Sequence, residues 1–125
     1  MKASEYVAAL LGARDIVHLA HLSTLSYARH KAFGGLYEDI LDYTDNFVET
    51  YQGQTGKLIE VKMVHAVPVP DDGMEAWLEE FCDGVVKAAK LEFAQNMDEY
   101  GHFVNDIETL IGQIYHTLYK LRFLR

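Results

Sequence analysis

The two prolines of this chain, Pro68 and Pro70, lie close together near its middle, and the stretches from about 4–52 and 74–125 contain none. Because proline removes a backbone donor and clashes with the preceding turn, its absence leaves both stretches free to form helices. Both stretches also carry apolar residues at helical spacing. The sequence therefore predicts two helical halves joined by a non-helical segment between Gly53 and Gly73.

The apolar periodicity divides these halves into four helices. Ser4 is the predicted N-cap of the first helix and Ser26 that of the second, with a break at Gly34-Gly35 as the alternative. The third helix is predicted to begin at a capping box formed by Asp72 and Glu75. The predicted core positions, helix by helix, are Val7, Leu10, Leu11, Val17, Leu22 and Leu25; Phe33, Leu36, Tyr37, Ile40, Leu41, Thr44, Phe47, Val48 and Tyr51; Trp77, Leu78, Phe81, Val85 and Leu91; and Phe103, Ile107, Leu110, Ile111, Ile114, Leu118 and Leu121.

The segment between the halves is long enough to return along the whole bundle. A helix of about 25 residues is about 37 Å long, and about 18 extended residues reach about 60 Å. Within the segment, four apolar residues alternate with smaller or charged ones: Ile59, Val61, Met63 and Val67. This period of two predicts an extended strap that lays one side on the bundle or on a neighbouring subunit.

Composition narrows the class of protein. The 125 residues include 11 Lys and Arg, 19 Asp and Glu, and 12% aromatics, with a net charge of −8. The aromatic content excludes a disordered chain, and the acidic balance disfavours nucleic acid as a partner. No apolar run approaches the roughly 20 residues of a membrane span. The single cysteine, Cys82, fits a protein from a reducing compartment, and we expect it to be a buried apolar residue. We expect a single cytoplasmic domain over residues 1–125 that binds neither nucleic acid nor membranes.

Histidines and carboxylates are the side chains that could carry chemistry. Arg14, His18 and His21 lie in the middle of the apolar face of the first helix. The two histidines are either part of a hydrogen-bonded polar layer or metal ligands. A buried arginine beside them needs a carboxylate partner. His30 lies at the edge of the apolar stripe of the second helix. Four acids of that helix project within one wedge, as a solvated face or as a cation-binding face: Glu38, Asp42, Asp45 and Glu49. Imidazole with carboxylate suits iron, manganese or zinc.

The spacing of His18, His30, Asp45 and Glu49, by 12, 15 and 4 residues, resembles the ferroxidase ligand series of Dps, the ferritin-like DNA-protection proteins. The resemblance covers about residues 10–56. The run HLSTLSYARHKAFGGLYEDILDYTDNFVETYQGQTG and the closing TLYKLRFL are also similar to small Dps-like proteins encoded by phages. The resemblance implies an all-α, ferritin-like four-helix bundle with one long crossover between the second and third helices.

In that family the metal lies between two subunits. The resemblance therefore implies that His18 and His30 of one chain face Asp45 and Glu49 of a two-fold partner, with His21 as a further candidate ligand. It implies iron, in a di-iron or a single-iron centre, with zinc or manganese as alternatives. It also implies a homo-oligomer, up to a twelve-subunit shell built from two-fold dimers.

The chain departs from the family pattern at several positions. Leu19 stands where an aromatic residue is usual, Gly34 replaces a later acid of the ligand set, and Val48-Glu49-Thr50 replaces an Ala/Gly-Glu-Arg run. The basic tail with which some members bind DNA is missing. His21, one turn from His18, could replace a lost ligand.

Two functions of different classes remain open, with structural binding of zinc or manganese as a third alternative. One is an iron-binding protein that oxidises Fe(II) at inter-subunit sites and stores the product without binding DNA, with no catalytic residue apart from the metal site. The other is a non-catalytic helical oligomer of phage origin with a structural or interaction role. For a phage-encoded chain, the expected compartment is the host cytoplasm, with association with the virion as the alternative.

Overall fold

The structure is a computed structural model that describes residues 1–124, and it is helical apart from its connections. The helices are α1 (Ala3–Ser23), α2 (Tyr27–Thr55), α3 (Met74–Phe81), α4 (Lys87–Ala94) and α5 (Met97–Phe123). A π-helical turn, Cys82–Val86, joins α3 to α4, and a 3-10 turn, Asp71–Gly73, precedes α3. With α3, the π-helical turn and α4 taken as one rod, the described chain forms four helical rods, as the sequence predicts.

The predicted break between the first two helices is confirmed at Ser26. Its Oγ accepts a hydrogen bond of 3.2 Å from the backbone N–H of Arg29, which caps the start of α2. The alternative break, Gly34-Gly35, lies inside α2. A helix tolerates these glycines because each costs only about 1 kcal/mol, which tertiary packing can offset.

Two other predicted caps are wrong. α1 begins one residue before Ser4, with Lys2 at its N-cap position and no side-chain cap. The capping box at Asp72 and Glu75 does not form either, since no side chain caps α3. Glu75 instead binds Arg29 of α2 at 2.8 Å, a long-range ion pair that replaces the local bond.

The four rods pack around one apolar core in which most predicted positions are buried. An aromatic layer crosses it, with Phe47 of α2 in contact with Tyr6 of α1 and Phe103 of α5. Buried Cys82 belongs to the same core, as predicted. Three predicted core leucines are wrong and exposed: Leu22, Leu25 and Leu91. Leu25 lies in the turn after α1 has ended, and the other two project to solvent from helix faces that no rod covers.

Residues 57–70, here called the crossover strap, run along the bundle between two fixed ends. At one end Ile59 N–H donates to Gln52 Oε1 at 2.8 Å, and at the other Arg29 binds Asp71. Gln52 and Arg29 are about 35 Å apart along α2, whereas the chain from Ile59 to Asp71 can span only about 40 Å. The strap is therefore almost fully extended.

The inward-facing side of the strap agrees only in part with the predicted alternation. Ile59 and Val61 pack against the core, but Met63 and Val67 are 64% and 73% exposed, which corrects their placement. The strap crosses α1 at Gly12, where the backbone carbonyl of His65 lies directly on the glycine, and beyond this point Ala66 and Val69 are the side chains that pack against the core. A Cβ atom added to Gly12 would come within 2.3 Å of that carbonyl oxygen.

Within residues 1–124, no helix has the length and apolar content needed to cross a membrane.

Candidate functional site

The α1–α2 hairpin gathers three histidines and a tyrosine, here called the histidine cluster: His18, His21, His30 and Tyr37. A short turn makes the two helices antiparallel, so the last turn of α1 faces the first turn of α2. The ring of His21 stacks on that of His30, with 3.8 Å between centroids, and His18 stacks on Tyr37 at 4.3 Å. The two stacks adjoin, since the rings of His21 and Tyr37 are 5.4 Å apart.

A reciprocal pair of hydrogen bonds orients the two stacked histidines. Nδ1 of His21 lies 2.7 Å from the carbonyl oxygen of His30, and Nδ1 of His30 lies 2.7 Å from that of His21. Because a carbonyl only accepts, each Nδ1 carries the donated proton. A neutral ring then has its lone pair on Nε2, free to bind a metal or to accept a hydrogen bond. Metal-binding histidines are commonly held in this way: one ring nitrogen binds the metal, and the N–H of the other donates to a carbonyl.

Gly34 provides the space for the ring of His21. A Cβ atom at this position would lie 3.0 Å from Cε1 and 3.1 Å from Nδ1 of His21, closer than ordinary contact. A larger residue at 34 would therefore push against the ring and its hydrogen bond. A larger side chain at residue 34 and the ring of His21 would thus compete for the same volume.

Arg14 borders the cluster and has the carboxylate partner that its position requires. Its Nη1 donates to Asp15 at 3.0 Å, and its guanidinium carbon lies 5.9 Å from the centroid of Tyr37. Its Nε is buried without a hydrogen-bond partner within the described chain. The charges of Arg14 and Asp15 offset each other, so the cluster itself supplies no net negative charge to a cation.

The acids predicted to complete a metal site lie far from the histidines of the same chain. Asp45 and Glu49 are exposed on α2, about 22 Å and about 28 Å from His30 along the helix axis. In the part of the chain that the structure describes, no three His, Cys, Asp or Glu side chains converge on a possible metal position. Only another copy of the chain could bring these acids to the histidines, so the inter-subunit ligand set stays a prediction.

The other two acids of the predicted wedge, Glu38 and Asp42, are also exposed. Sequence reasoning missed Asp39, which lines a groove of about 250 Å³ between α2 and α5 together with Asp42 and Asp106. Burial, and then the neighbouring charge of Asp42, raise the pKa of the Asp39 carboxyl above its ordinary value. Its position on the helix wheel, outside the wedge, gave no signal, because the groove arises only when α5 packs on α2.

The remaining histidines lie outside the histidine cluster. Nε2 of His102 is hydrogen-bonded to Gln54 at 2.8 Å, and His116 is next to Tyr119 on the exposed side of α5. His65 contributes its backbone to the strap contact with Gly12. Periodicity did not place Tyr27 beside the histidines, but its ring lies 6.5 Å from that of His30.

A family model described as a family of unknown function, DUF5856, matches residues 21–121. The chain belongs to this family. The DUF5856 match begins at His21, so it includes His30, Asp45 and Glu49, whereas His18 lies outside the matched region.

A phage protein shares part of this sequence. Over 71 residues the chain is 38% identical to the uncharacterised 14.6 kDa protein in the mobD-ri intergenic region of Enterobacteria phage T4. The aligned part is 57% of this chain and 56% of the phage protein, so the chain spans little more than half of that relative's length. No solved structure matches the chain.

Proposed function

We propose that this DUF5856 protein binds ferrous iron between two copies of the chain and oxidises it, as a ferritin-like, Dps-like protein that does not bind DNA. The observation that carries the proposal is the reciprocal pair of Nδ1–carbonyl hydrogen bonds between His21 and His30, which leaves both Nε2 atoms free. Imidazole nitrogens held in this way are suited to iron, and also to zinc or manganese.

Two copies are required because one chain lacks the negative charge at the right place. His18, His21 and His30 would be neutral ligands, and Asp15, which follows Arg14 at the border of the cluster, is paired with that arginine. Asp45 and Glu49 are exposed on α2 without an ion pair among the described residues. A two-fold arrangement of α2 helices would place these acids of one copy beside the histidines of the other, twice per dimer.

Iron is the substrate in this proposal. The carboxylates would offset the charge of the bound ions, and the imidazoles would fix their positions. Two Fe(II) ions each lose one electron to one molecule of hydrogen peroxide, which takes up two protons and leaves as two molecules of water. Dioxygen is the alternative oxidant.

The test is an anaerobic titration with Fe(II), followed by addition of peroxide while Fe(III) absorbance is recorded. We expect saturable binding and rapid oxidation in the wild type, and loss of both in His30→Ala and in Asp45→Ala. His116→Ala is the matched control, because this exposed histidine lies on α5, away from the histidine cluster. Absence of saturable binding by the wild type would sink the proposal.

Mixing variants tests whether the site is shared between chains. His18→Ala/His30→Ala retains the acids, and Asp45→Ala/Glu49→Ala retains the histidines, so a mixed dimer has one intact site. A random 1:1 mixture should recover about a quarter of the wild-type sites, whereas each variant alone recovers none. Equal binding before and after mixing, under conditions in which the subunits exchange, would contradict a site shared between chains.

A non-catalytic oligomer of phage origin is the second candidate, with a structural or interaction role. The similarity to the phage T4 protein and the apolar side chains exposed at Leu22, Leu25 and Phe123 favour it. It predicts an oligomer whose mass and stability do not respond to iron, zinc or manganese. Metal-dependent association in sedimentation velocity would reject it in favour of the iron site.

A further inference from the structure

A pocket of about 220 Å³ lies at the end of α1 opposite the histidine cluster. Aromatic rings from four helices line it, together with one carboxylate: Tyr6 of α1, Tyr51 of α2, Glu92 and Phe93 of α4, and Tyr100 of α5. Ligand pockets in proteins are typically lined in this way, by apolar and aromatic side chains with a few polar groups that fix the orientation of the ligand. The lining therefore indicates a ligand that is apolar apart from one charged or polar group.

The aromatic wall is held in place by the core behind it. The ring of Phe93 packs on that of Phe103, with 5.0 Å between centroids, and on that of Tyr100 at 5.4 Å. The hydroxyl of Tyr6 is hydrogen-bonded in the interior to that of Tyr43 at 2.7 Å, so Tyr6 presents its ring to the pocket. The pocket is therefore formed before any ligand enters.

Negative charge lies at the mouth of this pocket. Glu92 is exposed and forms an ion pair with the amino group of Met1, a residue that also lines the pocket. The hydrogen bond to Glu92, together with the negative charges of Glu92 and Glu5, raises the pKa of the Met1 ammonium above its ordinary value. An ammonium group is thus already bound at the mouth, beside the aromatic wall.

We infer that the pocket binds a small organic ammonium ion with an apolar group of about one ring, whose ammonium replaces that of Met1 on Glu92. A cavity of about 150 Å³ holds benzene, so the volume admits one ring with a short arm. Aromatic faces attract a cation, and burial of the ring adds apolar contact. The site is separate from the proposed iron site, since Tyr6 and His18 are about 18 Å apart along α1.

The probe is phenethylammonium, and phenethyl alcohol, which has the same ring without the charge, is the control ligand. In an NMR titration the amine should shift the methyl signals of Ala3 and Ala89, which also line the pocket. The wild type should bind the amine with a Kd of about 1 mM or below. The alcohol should bind about fivefold more weakly, because it gains neither the carboxylate nor the attraction of a cation to the rings.

Two changes test the role of the carboxylate. Glu92→Gln should weaken binding of the amine by about fivefold and leave binding of the alcohol unchanged. Glu108→Gln is the matched control, because Glu108 is also exposed and ion-paired, with Lys90 at 3.3 Å, but lies about 12 Å along α5 from Tyr100. Acetylation of the amino group of Met1 removes the competing ammonium, so the acetylated chain should bind the amine more tightly.

Circular dichroism serves as the control that each variant keeps its helices. Absence of saturable binding of phenethylammonium in the millimolar range would overturn the inference. Equal affinity for the amine and the alcohol would overturn it as well, since the charge would then play no part. An acetylated chain that binds the amine no more tightly than the unmodified one would show that the two ammonium groups do not share Glu92, which also contradicts the inference.

Discussion

The rings of His21 and His30 stack at 3.8 Å, and each Nδ1 donates a hydrogen bond of 2.7 Å to the backbone carbonyl of the other residue. These bonds connect the last turn of α1 to the first turn of α2. Each ring therefore has two separate tasks, because Nδ1 holds the hairpin and Nε2 remains free for a ligand. The two tasks can be separated by mutation.

We predict that His30→Asn retains the hairpin and loses metal binding. The asparagine side chain offers an N–H donor near the position of Nδ1 but has nothing in place of Nε2. Its free energy of unfolding should fall by less than that of His30→Ala, which should lose about 1–2 kcal/mol with its hydrogen bond and its stacking. Urea unfolding without metal, beside the Fe(II) titration, makes both measurements. Equal destabilisation by the two variants would show that Nδ1 does not hold the hairpin.

We predict that Arg29 cannot be replaced by lysine. Its half-buried fork binds the side chain of Asp71 at 2.9 Å, the carbonyl of Asp71 at 2.6 Å and Glu75 at 2.8 Å. Arg29→Ala should lower the free energy of unfolding by about 2 kcal/mol, and Arg29→Lys should recover less than half of the loss, because an ammonium cannot reproduce the planar fork. Lys31→Ala, an exposed position on the same helix, is the control. Full recovery by lysine would mean that charge alone holds the end of the crossover strap.

The ion pair of Glu75 should make stability depend on pH. The hydrogen bond from Arg29 is the main cause that lowers the pKa of the Glu75 carboxyl below its ordinary value. The folded state thus favours the ionised form, so the pair stabilises above the unfolded pKa of about 4.3 and its contribution is lost as the pH falls through the folded pKa.

At pH 7 the free energy of unfolding of the wild type should exceed that of Glu75→Gln by about 1 kcal/mol, a small difference because solvent partly screens the pair. The two free energies should converge near pH 3. Urea unfolding at several pH values measures this gap. Glu80→Gln, on the exposed side of α3, should show little difference from wild type throughout. A gap for Glu75→Gln that persists unchanged at pH 3 would contradict the ionic origin.

We predict opposite effects for alanine at two helical glycines. Gly12→Ala places a Cβ within 2.3 Å of the His65 carbonyl oxygen and must displace the crossover strap, whereas Gly35 has nothing within 4 Å of the same position. Gly35→Ala should stabilise by about 0.5–1 kcal/mol through helix propensity, and Gly12→Ala should destabilise. Thermal unfolding gives both signs. Limited proteolysis should cut the strap faster in Gly12→Ala, and an unchanged rate would show that the strap does not depend on this contact.

Local signals were enough to predict the order of the helices. Proline placement located the crossover, and the serine at 26 located the break that the two glycines at 34 and 35 left open. The errors arose where a distant residue competes with a local bond. Glu75 could have capped α3, but Arg29 lies forty-six residues earlier and takes it. The exposure of Leu91 could not be predicted either, because periodicity identifies an apolar face without showing whether another rod covers it.

The sequence singled out the three histidines that the structure brings together, but it did not predict their geometry. The sequence analysis put His18 and His30 in one ligand set, with His21 as a further candidate. In the structure, His21 stacks on His30, and His18 stacks on Tyr37. Ring stacking depends on the side on which α1 crosses α2, which no spacing along one helix reveals. The space that Gly34 leaves for the ring of His21 depends in the same way on how α1 packs against α2, so it could not be predicted from the sequence.

The near-complete extension of the crossover strap links two lengths within the family. The strap has about 5 Å to spare between Ile59 and Asp71, which is close to one turn of helix. An insertion of one turn in α2, about 5.4 Å, would use this reserve, and compensation needs about two more residues in the strap. Relatives with a longer α2 should therefore carry a longer crossover, whereas a deletion of two or more residues in the crossover alone should unwind the end of α2 or detach Asp71 from Arg29.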